Sequence, residues 1–198
     1  MSAIYVNSIK DKTNTREIAS DSGSAWSWGS GVPAGTVLQV QSVVVTDRNC
    51  STNTDTSGTG TDVGLNVTIT PKKSGSHFFI HCSIGVGTVV SGDSWGIILS
   101  RGGTKIGNGV DVSNRNGVFF RGVDHAGDTG GNADHGIGAS NHYVDKTGST
   151  AGTSITYKCG LITQAGTAYI NRYESNNDNV DVHGSYTSSS VTVMEIAQ

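Results

Sequence analysis

Some residues in this sequence have the types and spacing of a hydrolytic site. The pentapeptide Gly92–Gly96 fits the G-x-S-x-G pattern of a nucleophile elbow, with Ser94 as the nucleophile. That device needs a helix directly after the serine, whereas Ile97 to Leu99 continue as an apolar strand. A trypsin-like protease places a whole β-barrel between its histidine and its serine, and His81 is far too close to Ser94 for that. We therefore expect that the chain is not an enzyme.

Two histidines have a spacing that could indicate a metal site. His77 and His81 are four positions apart, which on a helix would bring both rings to one ion. On a strand the same spacing puts them on one face but roughly 13 Å apart. They cannot share an ion within one chain, so we interpret them as surface or interface residues that flank Phe79. Histidines gathered around a symmetry axis by several copies are the alternative.

The stretch from Val123 to Gly148 combines carboxylates and imidazoles with many glycines and almost no apolar residues. Such groups can chelate a cation, but their spacing matches neither an EF-hand loop nor a zinc pattern. We expect a long solvated surface loop and no cofactor, with a bound cation as the alternative. The candidate ligands are Asp124, His125, Asp128, Asp134, His135 and His142.

Composition excludes several functional classes. The 198 residues carry a formal charge of −3 and only 15% charged residues, so the chain is not a basic nucleic-acid binder. No stretch approaches the roughly 20 apolar residues of a membrane span, and Met1 to Lys10 lack the apolar core of a signal peptide. We expect a soluble chain made in the cytosol. The 3 cysteines, Cys50, Cys82 and Cys159, have wide spacing that favours buried thiols over a disulfide or a metal cluster.

The elements that would position these residues are strands. The chain has 28 glycines, and strong helix formers are sparse. Short apolar runs alternate with turn-forming clusters, which predicts an all-β, two-sheet antiparallel jelly roll. The predicted strands are Val37–Val45, Leu65–Thr70, His77–Val86, Trp95–Leu99, Lys105–Val110, Val118–Arg121, Ile155–Leu161, Ala168–Tyr173 and Ser189–Ile196.

The third predicted strand has two unequal faces. Its alternation places the core residues Phe78, Ile80, Cys82, Ile84 and Val86 on one side. His77, Phe79 and His81 lie on the other side, which is half apolar. A half-apolar outer face is typical of an interface, so we predict that these three residues contact another copy of the chain.

The first 34 residues do not follow this strand rhythm. They contain a short strand candidate, Ile4–Ile9, then a polar stretch, and then two tryptophans spaced by one serine. An arm this thin cannot bury two indoles by itself. We therefore divide the chain into an arm, residues 1–34, and a head, residues 35–198, and predict that the arm attaches to another protein. The attachment residues are Ile4, Val6, Ile9, Trp26 and Trp28.

The order of the strand sequences resembles a known family. GTVLQV, NVTITPKKSGSHFFI, GIILSRGGTKIGNG, SITYKCGL, AGTAYINR and SSSVTVMEIAQ follow one another between Gly35 and Gln198. Together they resemble the head domains of fibre and other virion proteins from marine and cyanobacterial tailed phages. The resemblance implies a jelly roll similar to tumour-necrosis-factor-like homotrimers, located in the virion after assembly in the host cytoplasm. It also implies an N-terminal segment that binds capsid, collar or tail proteins.

Two functions follow from this resemblance. The short arm favours a non-enzymatic short fibre or capsid decoration over a long host-reaching fibre. The alternative is a receptor-binding head that recognises a glycan on the host surface. Candidate glycan-binding residues on loops are Tyr143, Tyr173, Asn176 and Asn177.

Overall fold

The chain forms β-strands throughout the part that the structure describes. The computed structural model describes residues 8–10, 17–21, 26–29, 31–47, 50–51, 58–88, 94–113, 116–123, 136–164, 167–171 and 187–198. Within these ranges there are strands and turns but no helix. The strands are β1 (Ser8–Lys10), β2 (Glu17–Asp21), β3 (Trp26–Trp28), β4 (Val37–Val45), β5 (Cys50–Ser51), β6 (Thr61–Ile69), β7 (His77–Thr88), β8 (Ser94–Arg101), β9 (Thr104–Lys105), β10 (Phe120–Val123), β11 (Gly136–Asp145), β12 (Ile155–Thr163), β13 (Ala168–Ile170) and β14 (Ser189–Ile196).

Two antiparallel sheets form the head. In the front sheet the order is β4-β14-β7-β13-β5, and β11 pairs with β7. In the back sheet the order is β10-β8-β12-β6, and β9 pairs with β8. The long strands thus run β4-β14-β7-β11 in front and β6-β12-β8-β10 behind. Numbered along the chain, these eight strands have the orders 1-8-3-6 and 2-7-4-5, which is consistent with a jelly roll. The predicted all-β antiparallel sandwich is confirmed.

The core lies between the two sheets. The inward residues predicted on β7 are all buried, as are Leu65, Val67 and Ile69 of β6. The rings of Phe78 and Tyr157 meet across the sheets, with centroids 5.8 Å apart. The described cysteines, Cys82 and Cys159, are buried free thiols, as predicted, and the side chain of Cys50 lies outside the described residues. The hydrogen bond with Cys82 and burial raise the pKa of the Cys159 thiol well above its usual value.

The predicted strand Lys105–Val110 is wrong. Strand β9 ends at Lys105, the N–H of Ile106 adds one backbone hydrogen bond to Leu99 of β8, and beyond it the side chain of Asn108 bonds to β8 instead. Its amide nitrogen donates to the carbonyl oxygen of Leu99 at 2.7 Å, and its oxygen accepts from the N–H of Leu99 at 3.1 Å. A side-chain amide offers the same donor and acceptor as a peptide unit, so it satisfies β8 without a strand.

The predicted surface loop from 123 to 148 is also wrong over its second half. Residues 136–145 form β11, which pairs with β7 along its whole length. The inward polar residues of β11 are satisfied by hydrogen bonds rather than by water. Asn141 donates to the carbonyl oxygen of Phe119 at 2.8 Å, and buried Asp145 accepts from Tyr157 at 2.7 Å. Polar residues can therefore occupy a buried strand here.

The arm contains a small sheet of its own. Strands β1, β2 and β3 pair in that order, and β2 lies in the segment between Ile9 and Trp26 for which the sequence indicated only a polar stretch. The predicted strand Ile4–Ile9 overlaps β1 only at its end, since Ser8–Lys10 are the described residues there. Just before the predicted boundary, Val32 is buried against Leu38 and Ala197 of the head.

A buried carboxylate closes one end of the sandwich. Glu195 of β14 is fully buried and accepts hydrogen bonds from the N–H groups of Lys72 and Lys73. It also accepts from the Ser76 hydroxyl at 2.7 Å and from the Gln39 side-chain amide at 2.6 Å. Four donors from two segments thus converge on one side chain, which fixes the turn after Pro71 to the last strand.

We expect Glu195→Gln to destabilise the head by about 3 kcal/mol, because an amide removes the charge and turns its own N–H group toward the other donors. Urea unfolding at neutral pH measures this loss as a lower midpoint with an unchanged slope. Asp47→Asn makes the same chemical change at an exposed carboxylate and should stay within about 0.5 kcal/mol of the wild type. Equal midpoints for the two variants would contradict this role of Glu195.

Candidate functional site

The outward side chains of the front sheet form one continuous surface, which we call the front face. As predicted, β7 contributes His77, Phe79 and His81 to it, and all three are partly exposed. The register places Met194 of β14 on one side of Phe79 and Val144 of β11 on the other. Because directly paired residues share a face, these three apolar side chains form a row across the sheet.

Strand β4 extends this apolar row to the edge of the sheet. Val40 pairs with Met194 and is 50% exposed, and Val44 is 62% exposed. Sequence reasoning missed these residues as interface candidates. The signal was present, because the run Val37–Val45 has apolar residues on both faces, whereas a strand with one solvated face alternates apolar with polar residues.

A third histidine belongs to the front face. His142 was expected in the surface loop, but it lies on β11 directly opposite His81. Its ring stacks on Phe79 with centroids 5.6 Å apart and an angle of 24° between the planes. Sequence spacing could not have revealed this pair, because it depends on the register of two strands that are distant in the chain.

The outer surface of the back sheet, which we call the back face, has the opposite character. Its hydroxyl groups pair across strands, with Thr68 to Thr156 at 2.9 Å and Thr70 to Ser154 at 2.8 Å. Beside them Asp62 forms an ion pair with Lys158 at 3.0 Å. On β6 and β12 this face therefore carries polar side chains, whereas on β8 its outward residues Ile98 and Ser100 are buried.

The pKa of Asp62 reflects this polar setting. Partial burial opposes the charged form, but the N–H of Gly64, the Lys158 ammonium group and the Asn66 amide outweigh it and hold the pKa below its usual value. Asp62 therefore stays ionised on the back face at neutral pH.

A buried ion pair lies at the end of the head where β8 turns into β9. The guanidinium group of Arg101 donates to Asp145 at 3.0 Å and also to the carbonyl oxygens of Thr147 and Gly148. Tyr157 donates to the same carboxylate of Asp145. Burial, and then this contact with Asp145, raise the pKa of Tyr157 far above its usual value, so the phenol stays a donor.

A cavity of about 530 Å³ opens beside this ion pair. Arg101 forms part of its wall, and apolar patches come from two isoleucines. Hydroxyl groups supply most of the other polar lining. The lining residues are Arg101, Gly102, Thr104, Ile106, Thr147, Ser154, Ile155 and Thr156. Hydroxyls with small apolar patches can bind a polar organic molecule, and sequence reasoning did not identify this cavity.

The hydrolase pattern does not have the geometry of a nucleophile elbow. Ser94 is the first residue of β8 and pairs with Val123, and the strand continues to Arg101. As expected, a strand and not a helix follows the serine. Gly92 and Asp93 lie outside the described residues.

Of the predicted glycan-binding residues, the structure describes only Tyr143. Tyr143 lies on β11 and not on a loop, and its ring packs against the core beside Gly107. This corrects the expected loop placement, since Tyr143 pairs with Ile80 and so faces inward. Tyr173, Asn176 and Asn177 lie outside the described residues.

The predicted attachment residues are described only in part. Ile9 on β1 is 49% exposed and Trp28 on β3 is 37% exposed. Ile4 and Val6 lie outside the described residues, as does the side chain of Trp26. Two large apolar side chains of the arm are thus in contact with solvent.

The described residues lack two further features that would indicate a function. The described residues contain no group of three or more His, Cys, Asp or Glu side chains that could hold a metal ion. The candidate cation ligands between residues 124 and 135 lie outside those ranges. The described part of the chain contains no helix that is both long and apolar enough to cross a membrane.

Comparison with known proteins does not assign this chain to a family. No protein-family model matches the sequence, and no curated protein matches it. A solved structure of infectious bursal disease virus, Gx strain, aligns with 82% of this chain at 16% sequence identity and a TM-score of 0.20. The aligned part covers 43% of that viral chain, so this chain corresponds to less than half of it. A similarity this low does not establish a common fold, and the jelly-roll assignment rests on the strand order described above.

Proposed function

We propose that this chain is a non-enzymatic structural protein of a tailed-phage virion. The heads associate as a trimer through the front face, and residues 1–34 attach the trimer to a capsid, collar or tail protein. The protein acts as a short fibre or a capsid decoration, assembled in the host cytoplasm. The phage assignment comes from the sequence resemblance, and the mode of association comes from the contrast between the two sheet faces.

The observation that carries the proposal is the apolar character of the front face. Val40, Met194, Phe79 and Val144 form a row across four neighbouring strands. The described outward positions of these strands contain no Asp, Glu, Lys or Arg. Interface centres are depleted in charged residues and enriched in aromatic residues and methionine, so this composition supports a protein contact rather than a solvated surface.

The size of the front face sets how much of a trimer contact it can supply. Four strands about 4.8 Å apart and eight residues of about 3.3 Å each give a patch of roughly 500 Å² per copy. In a cyclic trimer each copy contacts two neighbours, so three such patches bury roughly 1,500 Å² in total, or about 500 Å² at each of the three contacts. A specific interface buries at least about 1,000 Å², so the rims of the face must supply the remaining area.

The exposed side chains of the arm support the attachment role. Ile9 and Trp28 lie on a three-stranded sheet that is too small to bury them. Burial of an indole against a partner is worth about 1.5–3 kcal/mol, so three arms acting together would bind far more tightly than one.

A receptor-binding head is the second candidate, and the cavity beside Arg101 favours it. The cavity has hydroxyl groups from Thr104, Thr147 and Thr156, which can exchange hydrogen bonds with the hydroxyls of a sugar. For this second candidate we therefore propose a glycan site at the β8–β9 end of the head, in addition to the loop residues expected from the sequence.

Association through the front face can be tested with Val40→Lys. Val40 is half exposed in the isolated chain, so the change should leave the stability of a single head within about 0.5 kcal/mol. At the trimer interface the same lysine would bury an unpaired charge at a cost of roughly 2 kcal/mol or more, which weakens each contact about 30-fold. Light scattering after size exclusion should show a trimer for the wild type and monomers for the variant.

Thr68→Lys, which introduces the same charge on the back face, is the matched control and should remain trimeric. A monomeric wild-type chain, or a Val40→Lys variant that stays trimeric, would refute association through the front face.

Attachment through the arm can be tested by deleting residues 1–29, which spares the buried Val32. The shortened chain should keep the melting temperature and trimeric state of the full chain but no longer bind to virus particles that lack the protein. Trp28→Ser in the full chain should also weaken binding to these particles. The fraction of decorated particles can be counted in negative-stain images of particles mixed with each variant. Normal decoration by the shortened chain would show that the arm is not the attachment segment.

The glycan alternative can be tested with Thr104→Val, which replaces a hydroxyl of the cavity by a methyl group of similar size. If the cavity binds a host polysaccharide, the variant should lose retention on a column of that polysaccharide by about tenfold or more. Thr46→Val makes the same change at the opposite end of the head and should be retained like the wild type. Equal retention of the wild type and both variants, or no retention of the wild type, would rule out glycan binding in this cavity.

A further inference from the structure

Two histidines of the front face lie side by side on neighbouring strands. His81 of β7 and His142 of β11 are directly opposite each other in the antiparallel ladder. Residues in such a pair share a face, and their Cβ atoms lie about 4.5–5.5 Å apart. The imidazole rings extend well beyond Cβ, so both can reach one ion between the strands. His77 pairs instead with Ile196 of β14, and it lies roughly 13 Å from His81 along β7.

The surroundings of the pair leave the ring nitrogens accessible. His142 stacks its flat face on Phe79, and a stack uses the face of a ring while its nitrogens lie on the edge. Phe79 precedes His81 by two residues on β7, so the stack holds His142 on the side of β11 that faces β7. On the other flank of His81 the paired residue is Thr192, which carries no charge.

We propose that His81 and His142 together bind one divalent transition-metal ion such as Zn²⁺, through one ring nitrogen each. Two nitrogens at about 2.1 Å from a tetrahedral ion are roughly 3.4 Å apart, a span that paired residues can provide. Imidazole ligands suit zinc, copper and nickel, whereas magnesium and calcium require oxygen ligands. The described residues offer no third ligand in a group, so the remaining positions hold water or a ligand from another molecule.

This site goes beyond the proposed function and does not depend on association of the heads. Both ligands belong to one chain, so a monomer has the complete pair. The ion adds two positive charges to a face whose described outward positions carry no carboxylate. Metal ions in the medium therefore change the charge of the surface through which we propose that the heads associate.

Zinc titration of the full chain, prepared without a polyhistidine tag, tests the site. Calorimetry should show one ion bound per chain. His81→Asn and His142→Asn should each lower the zinc affinity at least about tenfold, because even the loss of a residue that only orients a metal ligand lowers metal affinity about 10- to 100-fold. The matched control His77→Asn removes a histidine from the same face and strand and should bind like the wild type. Magnesium at millimolar concentration should produce no binding signal.

Nitrogen-15 spectra of the wild-type imidazoles provide a second measurement that needs no variant to fold. The signals of His81 and His142 should shift together on addition of zinc, while that of His77 stays in place. Val40→Lys should retain zinc binding even where it loses association, which separates this inference from the trimer. Wild-type affinity in both His81→Asn and His142→Asn, an equal loss in His77→Asn, or zinc shifts confined to other histidines would overturn the site.

Discussion

In a two-layer sandwich each sheet gives one face to the shared core, and its other face must meet water or another surface. The two sheets of this head meet that constraint in different ways. The back face carries hydroxyl groups that pair with one another, as Thr68 does with Thr156, together with the ion pair of Asp62 and Lys158. The front face carries Phe79, Met194 and half-exposed valines. Since the same core stabilises both sheets, the core does not account for the difference between their outer faces.

The ends of the sandwich are closed by polar side chains rather than by apolar ones. Glu195 holds the turn after Pro71 at one end, and Asn171 does the equivalent at the other. Asn171 has a positive φ of 65°, its amide donates to the carbonyl oxygens of Val45 and Asp47, and its oxygen accepts from Ser189. Loops rich in glycine and serine offer little apolar surface, so hydrogen bonds to their backbone supply the order that packing cannot. A head closed in this way presents its faces as rigid surfaces.

Local sequence patterns were enough to predict the strands whose inward residues are apolar. Val37–Val45 and Ser189–Ile196 were predicted with the bounds that the structure has, because β-branched residues dominate both runs. Strand β11 was missed because its buried positions are polar. Its Asp145 is neutralised by Arg101, which is 44 residues away in the sequence, and no local pattern contains that information. The front face was recognised from the sequence only on β7, and the signal on β4, apolar residues on both faces of the run Val37–Val45, was missed. Its extension to β14 and β4 depends on pairings such as Ser42 with Thr192, which are 150 residues apart.

The polar groups of the front face differ in what they require of a covering surface. Ser42 and Thr192 hydrogen-bond to each other at 2.9 Å, so a dry partner can cover them without breaking that bond. An imidazole whose nitrogens lie at a ring edge needs a partner for them, because burying a polar atom without one costs about 1–3 kcal/mol. That partner can be trapped water, a group on the facing molecule, or a metal ion. The apolar row and the pair formed by His81 and His142 are therefore coupled, since whatever covers Phe79 must also satisfy the ring of His142 that stacks on it.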